Sequence, residues 1–166
     1  MVIGIGGLST SGKSRLAEKI QEYYPEKKVM ILCQDNFVFP KSLLPKIKDH
    51  IDWEHPLSID FNKLHKKIVS ESSIANILIV EGILTFYDQQ VNLLFNKKIF
   101  LEIPEKEFFA RKTVDTRWGK EPLWYIEHIW NSYIKCGRIP YGWSNTYYIS
   151  GAKDIDLARL IHYLES

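Results

Sequence analysis

Apolar residues in this chain fall into two alternating patterns. Short continuous runs give way to stripes spaced by three and four, and polar, proline-punctuated stretches separate them. The first run, Met1-Val-Ile-Gly-Ile-Gly6, is short enough for a buried strand. Leu16, Ile20 and Tyr23 or Tyr24 then take up helical spacing, which Pro25 ends. Val29-Met-Ile-Leu-Cys33 predicts a strand covered on both faces. Phe37 to Pro56 is irregular, with Pro40, Pro45 and Pro56 as breaks. Asp60 is placed to cap a helix carrying Phe61, Leu64 and Ile68. Ile77-Leu-Ile-Val80 is the clearest buried strand, with a short helix expected after Tyr87. Ile99-Phe-Leu-Glu-Ile103 is a fourth strand, stopped by Pro104, and Phe108, Phe109 and Ala110 begin a helix running into the charged stretch 111–120. Ile126, Ile129, Trp130, Tyr133 and Ile134 form an apolar stripe. Thr146-Tyr-Tyr-Ile149 reads as a last strand. Asp154 is expected to open a final helix with Ile155, Ala158, Ile161 and Leu164 inward.

Strands alternating with helices predict an α/β fold, with about five parallel strands and helices on both faces. In such sheets ligands bind beyond the carboxyl ends of the strands, so polar residues there carry the functional argument.

Composition narrows the function classes. The 166 residues suit a single domain over 1–166 with a full core. A formal charge of +2 gives no field for a polyanion, so neither composition nor charge supports a nucleic-acid role. Cys33 and Cys136 are too few for a disulfide scaffold, and Cys33, inside an apolar run, is expected as a buried thiol. No signal peptide or membrane span is visible, which predicts a soluble cytoplasmic protein. Oligomeric state is not legible.

Gly7-Leu-Ser-Thr-Ser-Gly-Lys-Ser14 fits the phosphate-binding pattern G-x-x-x-x-G-K-[S/T]. Its glycines let the backbone wrap a phosphate and aim successive N–H groups inward, so Gly7, Ser9, Thr10, Ser11 and Gly12 are expected nucleotide contacts. Lys13 would reach the β- and γ-phosphates, and the Ser14 hydroxyl would ligate Mg²⁺. The loop lies between a strand and a helix, which turns the helix N-terminus toward the anion.

Three further groups follow. Asp35, just after the second strand, and Glu81, directly after the third, project toward the loop mouth if both strands neighbour the first. Phosphoryl transfer needs such a pair: one acid accepts the proton of the attacking hydroxyl, the other holds Mg²⁺ directly or through water. Arg111, Lys112, Arg117 and Lys120 form a basic segment, with a turn at Trp118-Gly119, suited to closing over a transferring phosphoryl group. Trp53 and Glu54 lie in the irregular region, where a ring can stack a flat base and an acid can bond sugar hydroxyls. The five histidines show no zinc-ligand spacing with cysteines. Ser150-Gly-Ala-Lys153 has a faint likeness to a guanine-specificity motif, but its partner Asn-Lys-x-Asp is absent.

These segments together resemble the nicotinamide riboside kinases, within the uridine kinase-like group of phosphate-loop (P-loop) kinases. The likeness is carried by Gly7 to Ser14, Gln34-Asp-Asn-Phe37, Asp52-Trp-Glu-His-Pro56, Ile77 to Phe86, Phe100 to Pro104 and the 125–133 helix with Trp130. The resemblance implies a P-loop kinase fold and an ATP- and Mg²⁺-dependent nucleoside 5′-phosphotransferase, placed in NAD biosynthesis if nicotinamide riboside is the acceptor. Its nucleoside-binding segment would span about 35–60 and its small basic lid about 111–122. It implies Asp35 as catalytic base, assisted by Lys13 and Arg111, and Glu81 with Ser14 at the metal. Arg117 would contact the nucleotide, and Asp35, Trp53, Glu54, Lys112 and Trp118 the nucleoside. Three positions depart from the family pattern: Asn36 replaces a frequent second acid, Glu54 replaces an aspartate, and Lys112 replaces an arginine and so lacks its bidentate fork. Nicotinamide riboside is the first expected acceptor and uridine or cytidine the second, with a pantothenate-like hydroxyl also open. A non-enzymatic nucleotide sensor is the rival from another class.

Overall fold

The computed structural model describes residues 1–166 except 118, 140, 141 and 144. The described chain runs β1 (Val2–Gly7), α1 (Lys13–Tyr23), β2 (Val29–Cys33), β3 (Lys46–Ile47), β4 (His50–Ile51), α2 (Phe61–Ser72), β5 (Ile77–Gly82), α3 (Gln89–Asn92), β6 (Lys97–Glu102), α4 (Glu105–Val114), α5 (Leu123–Ser132), β7 (Thr146–Ser150) and α6 (Leu157–Glu165). Five strands form one parallel sheet in the order β2-β5-β1-β6-β7. The predicted α/β class, strand number and parallel direction all hold.

Alternation along the strands sends side chains to opposite faces, and each face has its own core. On one side Ile3, Ile5, Ile79, Ile99 and Leu101 meet Leu16, Ala17 and Ile20 of α1 and Leu160, Ile161 and Leu164 of α6. On the other, Leu78, Val80 and Phe100 meet Leu64 and Ile68 of α2, Phe108 of α4, and Ile126 and Ile129 of α5. The central strands β1 and β5 are buried throughout, as their uninterrupted apolar runs require.

Several expectations are corrected. β2 is half-buried along its length because it is an edge strand, with β5 on one side only. For the same reason β2 does not neighbour β1; β5 lies between them. The irregular stretch after Phe37 contains a two-stranded antiparallel ribbon, β3–β4. Helix α4 runs into the charged stretch as expected but ends at Val114, and the described residues between it and α5 belong to no helix. Helix α5 runs into a π-turn over Tyr133–Gly137, closed by the Arg138 N–H donating to Tyr133 O at 2.7 Å. That widened turn rotates Ile134 into solvent while Tyr133 stays buried. The last helix is capped by Asp156, whose side chain accepts from the Arg159 N–H, and not by Asp154. The shifted start brings Leu160 inward and leaves Ala158 exposed. Asp60 caps α2 as expected, accepting from the Lys63 N–H at 2.9 Å. Among the described residues no helix is long and apolar enough to cross a membrane.

Candidate functional site

The chain leaves β1 at Gly7 and enters α1 at Lys13, so the loop between them sits at the carboxyl edge of the central strand. Gly7 and Gly12 adopt φ values of +146° and +99°, which L side chains rarely take, and a Cβ on Gly7 would collide with the Leu101 carbonyl. Gly12 stands at the N-cap with no side chain to satisfy the first N–H groups of α1, which leaves them for an anion. Lys13 is buried; its Nζ donates to Leu8 O at 3.0 Å, and burial holds its pKa below the ordinary value, against the opposing pull of Glu81, Asp35 and Glu54. The Ser11 hydroxyl is buried without a partner, a further polar group aimed at no protein atom.

Glu81, in the last turn of register before Gly82, pairs across the sheet with Ile5 on one side and Cys33 on the other. The Ser14 hydroxyl donates to Glu81 Oε1 at 3.1 Å. Two hard oxygen donors side by side at the phosphate loop suit Mg²⁺, which takes one or two protein oxygens and fills the rest of its shell with phosphate and water. Among the described residues no cluster of three His, Cys, Asp or Glu could hold a metal unaided. Asp35 follows β2 in a 3₁₀ turn, Gln34–Phe37. Burial raises its pKa, Lys13 pulls it back, and Glu81 raises it again. Cys33 beside them is pushed up to about 12 by burial and then by the two acids, which makes it an inert thiol at neutral pH.

Beside this group opens a cleft of about 590 Å³, whose lining includes Ser9, Gln34, Asp35, Trp53, Glu54, Lys112 and Tyr125. Four of the segments singled out in the sequence, the phosphate loop, Asp35, Trp53-Glu54 and the basic segment, therefore converge on one space. Trp53 is 39 % exposed, so its indole is presented to the cleft and is not packed into the core. Glu54 is pushed up to about 8, first by burial and then by Asp35, with Lys112 opposing. A second cleft, of about 520 Å³ between β6, β7 and α5, shares no lining residue with it.

The basic segment divides. Arg111 reaches the phosphate loop, with Nη1 donating to Thr10 O at 3.1 Å and Nε to Glu107 at 2.6 Å. Lys112 lines the cleft, but it is buried and ion-paired with Glu121 at 2.8 Å and Asp115 at 3.8 Å. It ties the two ends of the loop together and is no free lid cation. Arg117 is held bidentate by Asp115, both contacts at 2.8 Å, and is mostly exposed. Trp118 lies outside the described residues, as does Tyr141.

Sequence reasoning missed four residues. Gln34 Oε1 accepts from the Leu84 N–H at 2.9 Å and fills the space over Gly82, which locks the Asp35 turn to the end of β5. Asp52, His128 and Tyr125 hold the Trp53 segment from behind. Asp52 stood within a motif already noted. Tyr125 and His128 sit three apart on one helix face; the sequence marked Tyr125 only as the start of the 125–133 helix and His128 only as one of five histidines without zinc-ligand spacing. The Ser150–Lys153 turn, set aside earlier, packs on the phosphate loop: a Cβ on Gly151 would strike Ser11 O.

No family model matches this chain. It is 26% identical over 151 residues to nicotinamide riboside kinase 1 of Homo sapiens, covering 81% of this chain and 75% of that protein. It is 27% identical over 140 residues to the uridine kinase of Chlamydia pneumoniae, covering 69% of this chain and 63% of that one. Among solved structures it matches a gluconokinase from Sinorhizobium meliloti 1021 with a TM-score of 0.61 at 16% identity, covering 98% of this chain and 87% of that one. The chain has a P-loop kinase fold, and its sequence is similar to nucleoside kinases of two kinds. The resemblance read from its motifs holds, and the two kinds of relative stand at nearly equal identity.

Proposed function

We propose that this P-loop kinase transfers the γ-phosphoryl group of ATP to the 5′-hydroxyl of nicotinamide riboside. The observation that carries the reading is the cleft itself, where Asp35, Glu54 and the exposed Trp53 meet beside the phosphate loop. The hydroxyl oxygen attacks the γ-phosphorus in line, a P–O bond forms to it, the bond to the β-γ bridging oxygen breaks, and ADP leaves. Asp35 receives the hydroxyl proton; its raised pKa makes it a better base than an exposed aspartate. Lys13 and Arg111 face the phosphates and balance charge that moves toward the leaving oxygen. Ser14 and Glu81 would hold Mg²⁺, which when bound neutralises phosphate charge. Catalysis on this scheme is mostly positioning and preorganised charge.

The choice of acceptor rests on charge. A pyridinium ring is cationic, and an aromatic face attracts a cation by about 0.5–2 kcal/mol. Trp53 supplies the face. Glu54, held neutral by burial and by Asp35, would regain its charge beside a cation. A neutral pyrimidine nucleoside is the second reading, favoured by the uridine kinase at 27% identity. A panel of nicotinamide riboside, uridine, cytidine and pantothenate with ATP and Mg²⁺, products read by mass, separates them. Nicotinamide mononucleotide as main product supports the first reading; uridine or cytidine monophosphate replaces it; no phosphorylated product rejects both.

A further inference from the structure

Trp53 and Glu54 belong to no helix or strand, yet both line the cleft. What fixes them comes from α5. His128 Nε2 lies 2.8 Å from Asp52 Oδ1, and that same oxygen accepts the Glu54 N–H at 3.2 Å. Three residues earlier on the helix, Tyr125 Oη donates to Ile51 O at 3.2 Å and accepts from the Trp53 N–H at 3.4 Å. The Asp52 backbone is held as well: its N–H donates to Pro45 O at 2.8 Å and its carbonyl accepts from the Ser58 hydroxyl at 2.5 Å. Asp52 is 7 % exposed, so its carboxylate is paired in a place where an unpaired one would be costly. Three successive residues, Ile51 to Trp53, are thus gripped by two side chains from one face of α5, and the Asp52 carboxylate passes the grip on to the Glu54 N–H.

We propose that His128 and Tyr125 are positioning residues for acceptor binding. They act through Asp52 and the 51–54 backbone and set where the Trp53 ring and the Glu54 carboxyl sit in the cleft. This rests on the nucleoside reading above for its kinetic consequence, though not for the clamp itself. Helix α5 begins directly after Pro122, at the end of the loop that Lys112 and Glu121 tie down. The clamp therefore links that loop to the segment carrying Trp53. The phosphate loop makes none of these contacts, so losing them should weaken acceptor binding and spare ATP.

The test uses the full chain with His128→Leu, His128→Gln and Tyr125→Phe. A glutamine amide can place a donor where the imidazole Nε2 stands, so it separates loss of the hydrogen bond from loss of shape. In His128→Leu the acceptor KM should rise about tenfold, the effect of one lost charge-assisted hydrogen bond. The ATP KM should stay within about twofold, and His128→Gln should recover most of the loss. Native-state hydrogen exchange reads the clamp without any activity: amides of 52–54 should exchange about tenfold faster in His128→Leu and Tyr125→Phe, with those of Lys13 to Leu16 unchanged. Equal acceleration across the chain, or unchanged exchange at 52–54, overturns the proposal. So does an equal rise of both KM values. If the wild-type chain phosphorylates no nucleoside, the functional reading falls, and the exchange ratio still decides the clamp.

Discussion

Replacing Glu54 by glutamine removes the most displaced carboxyl in the cleft and leaves its shape. In the folded chain burial, Asp35, Asp52 and Glu121 together push Glu54 up to about 8 against the pull of Lys112. A glutamate in the unfolded chain titrates near about 4.3. Between those two values the folded state holds a proton that the unfolded state has released. Stability must then fall as pH rises through that window, because the state binding fewer protons gains. One proton corresponds to about 1.4 kcal/mol per pH unit, which sets a ceiling of about 5 kcal/mol at pH 8. Glu54 keeps part of its surface at the cleft mouth, where it can turn toward water, so the loss to expect is about 2 kcal/mol. For a chain of this size that is about 4–8 °C in Tm. Thermal melts of the wild-type chain and Glu54→Gln across pH 5 to 8.5 measure it directly. The two curves should meet near the acid end and separate by that amount near the alkaline end, with the glutamine variant the more stable. Parallel curves would show that Glu54 ionises normally, and the charge argument for a cationic acceptor would fall with it.

Four shorter predictions accompany this one. Asp35→Ala should cut turnover by about two to four orders of magnitude with the melting temperature nearly unchanged, and near wild-type turnover would remove Asp35 from the base role. Lys13→Met should abolish transfer while the fold stays as stable or gains, since a buried ammonium is exchanged for an apolar chain of similar length; calorimetry with the acceptor assay checks both halves. Gly82→Ala should cost about 1–3 kcal/mol, because the new methyl runs into the buried Gln34 side chain, and denaturant unfolding reads the loss. Chelating divalent cations should stop transfer without changing the far-ultraviolet dichroism, and Ser14→Ala should raise the Mg²⁺ concentration needed for half-maximal rate.

The local sequence determined a good deal. The runs Met1 to Gly6 and Ile77 to Val80 were legible as buried strands, and the phosphate loop followed from residues whose spacing serves backbone geometry directly. Asp60 marked its helix because a cap is a contact over three residues. The site acids Asp35 and Glu81 were legible from their place at strand ends, and Trp53 from its company in a proline-bounded loop.

Tertiary structure decided the rest, for physical reasons. Strand order is set by which faces must be covered, so the half-burial of β2 and the place of β5 between β2 and β1 were not written in either run. The fate of three cations of the basic segment was settled by the fold: Asp115 took Arg117, Glu121 took Lys112, and Arg111 donated to the phosphate loop. Asp52 and His128 are 76 residues apart, and no local pattern records a hydrogen bond across that distance. The pKa of Glu54 is likewise a property of the assembled cleft, since the burial and the charges that move it come from four separate segments of the chain.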